Sequence, residues 1–425
     1  MRVVCSPDPR PLDPEEGIAY SLFSSPGQPG VGRIATAMPL ALRRCGFHPP
    51  VNAWDFLAIS LSAAAADQAC LRSDSPDGWT REIDLRVAVN DPGLWNRLSP
   101  DIEAALRFLT GDVWRLSLEA GGAPRPKPTS RSKRPPAGDS VCLLSGGVDS
   151  LVGAIDVVAD GARPILVSQV AQGDADRQRR FAREVGDQLG HLQLTHAIRP
   201  PGIAERSQRA RSIVFLAYGV LAASSLACRG ESTAVDLVVP ENGFISLNIP
   251  LTPLRLGTLS TRTTHPHFLG QIQAILDAAG LEVRLSNPYQ FHTKGEMLHG
   301  CRDQALLASL VQDSTSCGRF ARYGYTHCGR CVPCLARRAA FHRWGASDLT
   351  HYKFADLSIN DSEHRHFDDV RSVSFAWSRV AQGGVGHWAG SALSHVLLGD
   401  TEAYAGVAGR GIEELHDFLS SAGAL

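Results

Sequence analysis

The pattern of apolar and polar residues changes near residue 139. Before that point, an apolar run at 53–71 predicts a buried helix, and apolar and polar residues that alternate at 81–89 predict a half-buried strand. Residues 1–50 are rich in Pro and Gly and show little periodicity, so we expect mostly loop there, with one or two short strands. Together these patterns predict a small α+β module in the first part of the chain.

Beyond residue 139, short apolar runs alternate with helical patterns. The predicted strands and helices are, in chain order, 141–144, 150–160, 164–170, 177–189, 212–228 and 235–239. Alternation of this kind predicts a parallel α/β sheet. The sequence shows no internal repeat, and a last amphipathic helix is predicted at 412–419.

A segment rich in Pro and in basic residues separates these two patterns. Residues 121–138 contain no acidic side chain, and this composition predicts a semi-extended linker at 125–139. A solvated spacer and a contact for phosphate groups or a partner are both open for this segment.

The composition is that of a packed globular protein, with 44% hydrophobic and 20% charged positions in 425 residues. The formal net charge of −1 gives no general case for a nucleic-acid or anionic-membrane partner. Residues 1–17 contain no apolar region typical of a secretory signal, and the apolar stretch at 56–66 is too short to cross a bilayer. We therefore expect a soluble, cytoplasmic protein.

A loop with two glycines joins the first predicted strand of the α/β part to its helix. Its residues are Ser145, Gly146, Gly147, Val148, Asp149 and Ser150. Consecutive glycines let backbone N–H groups approach a ligand, and the start of a helix favours an anion. The loop therefore predicts a phosphate site, although it lacks the spacing of a Walker A or dinucleotide-binding loop. An aspartate beside a phosphate site predicts a cation, and we expect Mg²⁺.

Four of the ten cysteines lie within 18 residues, and they are Cys317, Cys328, Cys331 and Cys334. Clustered cysteines in a chain of this character predict metal ligands before disulfides. Four thiolates with two C-x2-C steps suit one tetrahedral zinc ion with no open position, which is a structural site. An iron–sulfur cluster uses similar spacing and stays an alternative.

The Ser-Gly-Gly-Val-Asp-Ser loop after a short strand resembles the signature of the PP-loop ATP pyrophosphatases. That resemblance implies a five-stranded parallel sheet of the adenine-nucleotide hydrolase type. It also implies that ATP and Mg²⁺ bind there, and that a substrate oxygen attacks the α-phosphorus and releases pyrophosphate.

Three further segments resemble QueC, the 7-cyano-7-deazaguanine synthase family. The segment at 327–341, in which the C-x2-C steps precede Arg337 and Phe341, is similar to its cysteine motif, with Cys317 as the upstream ligand. Thr-Lys-Gly-Glu at 293–296 resembles its T-K-A-E element, and residues 211–216 resemble its R-x-x-x-F-L helix.

The resemblance assigns roles to individual residues. It implies Asp149, Lys294 and Ser145 as catalytic residues, with the loop at 145–150 as the ATP site. Where the family carries its own substrate element, this chain has a different polar segment at 260–268. The substrate candidates are Glu241, Asn242, Arg262, Thr263, Thr264 and His265. A turn or a helix cap would use the same residue types, so that alternative stays open.

This departure and the added first module resemble QatC, the QueC-like component of the Qat anti-phage defence systems. The resemblance implies that a carboxylate such as 7-carboxy-7-deazaguanine is adenylated and transferred to an amine. The acceptor would be ammonia or a protein from the same operon that docks on the first module. The alternatives are a synthase of queuosine biosynthesis, a PP-loop RNA-modifying enzyme and a scaffold that binds ATP without turnover.

These expectations combine into one domain plan. It consists of an α+β accessory domain at 1–124, the basic linker at 125–139, a QueC-like PP-loop ATPase domain with the zinc motif at 140–345, and a helical extension at 346–425 that packs on the catalytic domain.

Overall fold

The structure is a computed structural model of the chain. It describes residues 1–13, 15–23, 28–35, 37–127, 136–171, 173–206, 208–227, 234–252, 262–358, 369–395 and 398–424. Most of the predicted basic linker, together with Ser260 and Thr261 of the polar segment, lies outside the described residues.

The first part of the chain folds into short strands and packed helices. Its elements are β1 (Arg2–Ser6), β2 (Ile18–Leu22), β3 (Val31–Ile34), α1 (Met38–Cys45), α2 (Val51–Ala69), β4 (Glu82–Val89), α3 (Pro92–Arg97), α4 (Ser99–Thr110) and β5 (Val113–Ala120).

The second part alternates strands with helices and ends in helices. Its elements are β6 (Ser140–Leu143), α5 (Val148–Ala159), β7 (Pro164–Gln169), α6 (Ala175–Val185), β8 (His191–Leu194), β9 (Ile198–Arg199), α7 (Arg211–Ala227), β10 (Val235–Val238), α8 (Gly243–Ser246), α9 (Pro266–Ala278), β11 (Val283–Ser286), α10 (Lys294–Gly300), α11 (Gln304–Leu310), α12 (Val332–Trp344), α13 (Asp369–Leu393) and α14 (Thr401–Ser421).

The first sheet has the strand order β5-β4-β1-β2-β3-β9. Strands β1 to β5 all pair in parallel, and only the short β9 pairs antiparallel, with β3. The predicted α+β arrangement is therefore wrong for this sheet, and residues 1–50 hold three strands and a helix where mostly loop was expected. Strands of four or five residues between Pro- and Gly-rich connections are too short to show a period, and parallel partners are distant in sequence.

The second sheet has the order β11-β10-β6-β7-β8, and every pair in it is parallel. This confirms the predicted five-stranded parallel sheet. From the central β6 the chain moves to one side through β7 and β8 and then to the other side through β10 and β11. The loops that follow β6 and β10 therefore diverge at a topological switch point, where open α/β sheets bind ligands.

Counted from its own first strand, each sheet has the order 5-4-1-2-3, apart from the added β9. Helices in equivalent positions pack against each other across the molecule, α2 on α7 and α4 on α9. One buried apolar cluster includes side chains from both sheets, from Val3 to Val283. Because α2 and α7 are apolar on nearly all sides, each needs neighbours all round, and the shared core supplies them.

The last helices form a second layer beside the second sheet. Helix α14 packs on α13, α12 and α8. The predicted amphipathic helix at 412–419 is confirmed as part of α14, with Ile412, Leu415 and Leu419 buried. Within the described ranges, no helix has both the length and the apolar character needed to cross a bilayer. The four-part domain plan stays a prediction.

Candidate active site

The loop at 145–150 leaves the central strand β6 and begins α5. Gly146 has a φ of +95°, which a residue with a side chain adopts only under strain. The hydroxyls of Ser145 and Ser150 lie 3.0 Å apart, and that of Ser150 also donates to the Gly147 carbonyl at 3.1 Å. The two predicted hydroxyl donors therefore hold the shape of the loop in this structure.

Several backbone amides of the loop point away from the protein's own acceptors. Within the described residues, the N–H groups of Gly146, Val148 and Asp149 have no hydrogen-bond acceptor. They lie at the start of a 12-residue helix, where the helix dipole is positive. Amides with this placement suit an anion such as a phosphate.

The side chain of Asp149, in the first turn of α5, is at the centre of a buried polar cluster. Its carboxylate forms an ion pair with the ammonium group of Lys294. The backbone and side-chain N–H groups of Asn242 donate to Asp149 Oδ2 at 3.2 and 2.8 Å. The carboxyl group of Glu241 is within hydrogen-bond reach of the same carboxylate. Residues that are 92 to 145 positions apart in sequence thus meet at one side chain.

The two carboxyl groups of this cluster differ in protonation. Burial alone would raise the pKa of Asp149, but the ammonium of Lys294 and hydrogen bonds from Glu241 and Asn242 hold it well below its usual range. Burial raises the pKa of Glu241, and the negative charge of Asp149 raises it further. Asp149 is therefore ionised while Glu241 holds a proton, the division expected for adjacent carboxyl groups.

This cluster opens into a cavity of about 250 Å³ between the loops that follow β6 and β10. The predicted residues that line it are Ser145, Gly147, Val148, Asp149, Ser150, Glu241 and Lys294. Thr315 and Ser316, which the sequence did not single out, complete the wall. The Thr315 hydroxyl is buried and has no partner among the described residues, so it can accept or donate a bond to a ligand.

The remaining substrate candidates do not line this cavity. Residues Arg262–Thr264 form a 3-10 turn, and His265 caps α9 through a bond from His267 N–H at 3.2 Å. The guanidinium of Arg262 donates to the Phe108 carbonyl at 3.1 Å and lies 4.7 Å from the centre of its ring. Burial lowers the pKa of His265 to about 3, and nearby positive charge adds to the effect. The cap that was an alternative for this segment is thus present. The segment also connects the two halves of the molecule, which are residues 1–120 and the described residues from 136 onward.

The four clustered cysteines form a second site, next to the cavity. Their Sγ atoms lie within 4.8 Å of one another, and the pairs Cys317–Cys331 and Cys328–Cys334 are 3.9 and 3.8 Å apart. A tetrahedral zinc ion with Zn–S bonds of about 2.3 Å places its sulfurs about 3.8 Å apart, so the donor set fits zinc. Backbone N–H groups of Cys328 and Cys331 donate to cluster sulfurs at 3.3 Å, which favours thiolates.

The cysteine module is joined directly to the loop at 145–150. The N–H of Thr315, two residues before the first cysteine, donates to the Gly146 carbonyl at 3.0 Å. From the other side, Gln178 on α6 donates to the carbonyls of Ser145 and Gln169 at 3.1 and 3.0 Å. Neither residue carries a motif, and only the nearness of Thr315 to Cys317 in sequence hinted at its place.

Sequence comparison identifies similar proteins of known function. The chain is 36% identical over 242 residues to the 7-cyano-7-deazaguanine synthase of Paracoccus denitrificans, in a match that covers 51% of this chain and 94% of that protein. It is 37% identical over 76 residues to the 7-cyano-7-deazaguanine synthases of Brucella ovis and Brucella canis, and those matches cover 18% of this chain and 30% of those proteins. No family model and no solved structure matches the chain.

Proposed function

We propose, for a chain that belongs to the 7-cyano-7-deazaguanine synthase family, an ATP-dependent reaction that activates a carboxylate and transfers it to an amine. One observation supports this most directly. Unpaired amides at the start of α5 and the ammonium of Lys294 face one cavity, where a triphosphate needs positive charge. The second sheet also places this cavity at its switch point.

The proposed reaction has two steps. A carboxylate oxygen of the substrate forms a bond to the α-phosphorus of ATP, and the bond from that phosphorus to the bridging oxygen breaks, which releases pyrophosphate. An amine nitrogen then attacks the acyl carbon, the bond to AMP breaks, and the amine loses a proton. The loop at 145–150 would hold the phosphates, and Lys294 would move from Asp149 to their developing charge.

The donor set around Asp149 also suits Mg²⁺ in chemical type. This ion takes oxygen ligands, commonly one or two carboxylates with phosphate oxygens, and Asp149 and Glu241 offer two adjacent carboxyl groups. Bound there, it would neutralise phosphate charge. Because Lys294 now pairs with Asp149 and Glu241 holds a proton, the ammonium and that proton would have to leave.

For the substrate, we propose 7-carboxy-7-deazaguanine or a close analogue. Glu241 lines the cavity beside the phosphate site, and we propose that it meets the polar edge of the ring. The further proposed substrate residues, which lie outside the cavity wall, are Asn242, Arg262, Thr263, Thr264 and His265. For the acceptor, we propose a protein amine, in a QatC-like defence role, with the first half as its docking surface. About half of this chain lies outside the match to the Paracoccus protein, and that added length supports a task beyond nitrile synthesis.

The test is to incubate the full chain with ATP, Mg²⁺ and 7-carboxy-7-deazaguanine and to measure pyrophosphate and AMP. We expect their release to depend on the carboxylate, and a scaffold would give none with any carboxylate. Mass spectrometry of reactions that contain ammonia, or proteins encoded by neighbouring genes, then identifies the acceptor. A protein whose mass rises by the acyl group supports the defence proposal, and a nitrile as the only product contradicts it.

A further inference from the structure

Helix α14 contacts the segment that carries Lys294 at several points. The hydroxyl of Tyr404 lies 2.9 Å from Gln290 Oε1, and Arg410 donates to the Phe291 carbonyl at 2.8 Å. Arg410 also pairs with Glu296, at 2.6 Å. Two turns of α14 therefore bind residues 290–296 through hydrogen bonds and an ion pair, directly beside the candidate active site.

The closest of these contacts is made by Glu414. The hydroxyl of Thr293 donates to Glu414 Oε1, and the N–H of Gly295 donates to Glu414 Oε2 at 3.3 Å. These two donors flank Lys294, whose ammonium reaches Asp149 on the other side. One carboxylate thus binds the side chain of the residue before the lysine and the backbone of the residue after it.

The packing around Gly295 makes this contact intolerant of change. A Cβ atom at position 295 would lie 2.7 Å from Arg343 Cβ and 2.7 Å from Glu414 Oε1. Both distances are well below van der Waals contact, so even an alanine would push the lysine segment away from α12 and displace the Glu414 carboxylate. The segment packs this closely against α12 and Glu414 only with glycine at position 295.

We propose that Glu414 is a positioning residue, whose ionised carboxylate holds Thr293 and Gly295 so that Lys294 stays aligned with Asp149. The inference rests on the proposed function for its kinetic test but not for its chemical one. An ionised carboxylate accepts strongly at both oxygens, whereas a protonated one turns one oxygen into an O–H donor that is a poor acceptor. The alignment therefore depends on the charge of Glu414.

Other ionisable groups face Glu414 across a cleft of about 370 Å³. They are Glu296 of α10, His342 and Arg343 of α12, and Arg410, Glu413 and Asp417 of α14. Burial, together with the negative charge of Glu296, raises the pKa of Glu414 to about 7, although the two hydrogen bonds and Arg343 act in the opposite direction. Glu414 therefore gains its charge near neutral pH.

This ionisation has opposite effects on activity and on stability. The aligned form grows as pH rises through about 7, so kcat/KM should rise. A carboxyl group with a raised pKa in the folded state contributes stability that is complete below its unfolded pKa of about 4.3 and is lost as pH rises through the folded value. A residue with a purely structural role would not make activity rise while stability falls with increasing pH.

The kinetic test compares Glu414→Gln with the wild type in the pyrophosphate assay from pH 6 to 8.5. We expect kcat/KM of the variant to fall about tenfold or more at pH 8, to match the wild type near pH 6, and to lose its step near pH 7. The controls are Glu413→Gln on the same helix and His342→Gln in the same cleft, and both should keep the step. A step that survives in Glu414→Gln, or an equal loss at every pH, contradicts the proposal.

A chemical test needs no substrate. Acetic anhydride should label Lys294 slowly in the wild type and several-fold faster in Glu414→Gln at pH 8, measured on tryptic peptides with Lys353 as the internal reference. Gly295→Ala should act in the same direction if Glu414→Gln fails to fold. Unchanged labelling of Lys294 overturns the inference, whereas a failed pyrophosphate assay with altered labelling overturns only the proposed function.

Discussion

The two halves of the molecule share a strand order and differ in how each treats one buried aspartate. After the fourth strand of each sheet comes an asparagine whose backbone and side-chain N–H groups both donate to that aspartate. In the first half Asn90 donates to Asp55 at 3.0 and 2.7 Å, and in the second half Asn242 donates to Asp149 at 3.2 and 2.8 Å. Asp55 lies on α2, between the third and fourth strands of its sheet, whereas Asp149 lies on α5, between the first and second. The two halves therefore share an asparagine–aspartate contact, made from different helices of the fold.

The difference lies in the other partners. Asp55 accepts one more backbone bond, from Asp91 at 3.0 Å, and is completely buried. Asp149 instead pairs with the ammonium of Lys294 and with the protonated Glu241, beside a cavity. Backbone donors are fixed, whereas an ammonium and a proton can move when a ligand arrives. The comparison teaches that the same asparagine–aspartate contact is closed where the other partners are backbone groups, and can respond to a ligand where they are an ammonium group and a carboxyl proton.

The largest expected effect, on stability, concerns the four-cysteine site at 317–334, which is hydrogen-bonded to the loop at 145–150 through Thr315. In Cys331→Ser we expect loss of one zinc per chain and a fall in the free energy of unfolding of about 5 kcal/mol or more, because structural zinc supplies folding free energy. Metal analysis and urea unfolding measure both quantities, with Cys45→Ser as the control outside the cluster. An unchanged free energy of unfolding in a variant that binds no zinc would show that the cysteine site does not stabilise the fold.

The second largest expected effect, on the reaction rate, comes from Asp149, whose partners are Lys294 and Glu241. Asp149→Asn should lower the rate of pyrophosphate release about a hundredfold to a thousandfold, or about 3–4 kcal/mol in the barrier. We expect the variant to stay folded, since Glu241 then loses a negative neighbour and can ionise to pair with Lys294. Circular dichroism and the pyrophosphate assay test this, and retained activity would remove Asp149 from the mechanism.

The corresponding substitution in the first half, Asp55→Asn, should lower stability and leave activity unchanged. In Asp55→Asn, a side-chain NH2 group faces the N–H donors of Asn90 and Asp91, so buried donors lose their acceptor. We expect a loss of about 2–3 kcal/mol in the free energy of unfolding with kcat unchanged for the folded enzyme. Urea unfolding and kinetics on the same sample decide the matter. A fall in kcat at full folding would show that the closed aspartate also serves the reaction.

The sequence allowed the local parts of this site to be predicted, and not their surroundings. Loop 145–150 and the four cysteines carry their geometry in their spacing, so the phosphate-type loop and the thiol cluster were predictable. The parallel pairing of β1 to β5 was not, because register and partners depend on contacts distant in sequence. Glu414 was equally hidden, since a glutamate on an amphipathic helix has the pattern of a solvent-exposed residue. Asp55 was hidden too, within an apolar run.

The smallest effect should appear where the two halves meet, at Phe108 of α4. The Arg262 guanidinium of the proposed substrate segment lies over this partly buried ring, which also contacts His265. Phe108→Leu keeps the backbone carbonyl that Arg262 donates to. It removes the ring that contacts the Arg262 guanidinium and the imidazoles of His265, His267 and His395, and the cation–π part is worth about 0.5–1 kcal/mol. If that segment binds the carboxylate, its KM should rise about two- to fivefold while the KM for ATP stays the same. Steady-state kinetics with each substrate varied in turn separate the two constants. Equal changes in both would mean that the first half acts on the whole cavity, and no change in either would confine its role to the shared core.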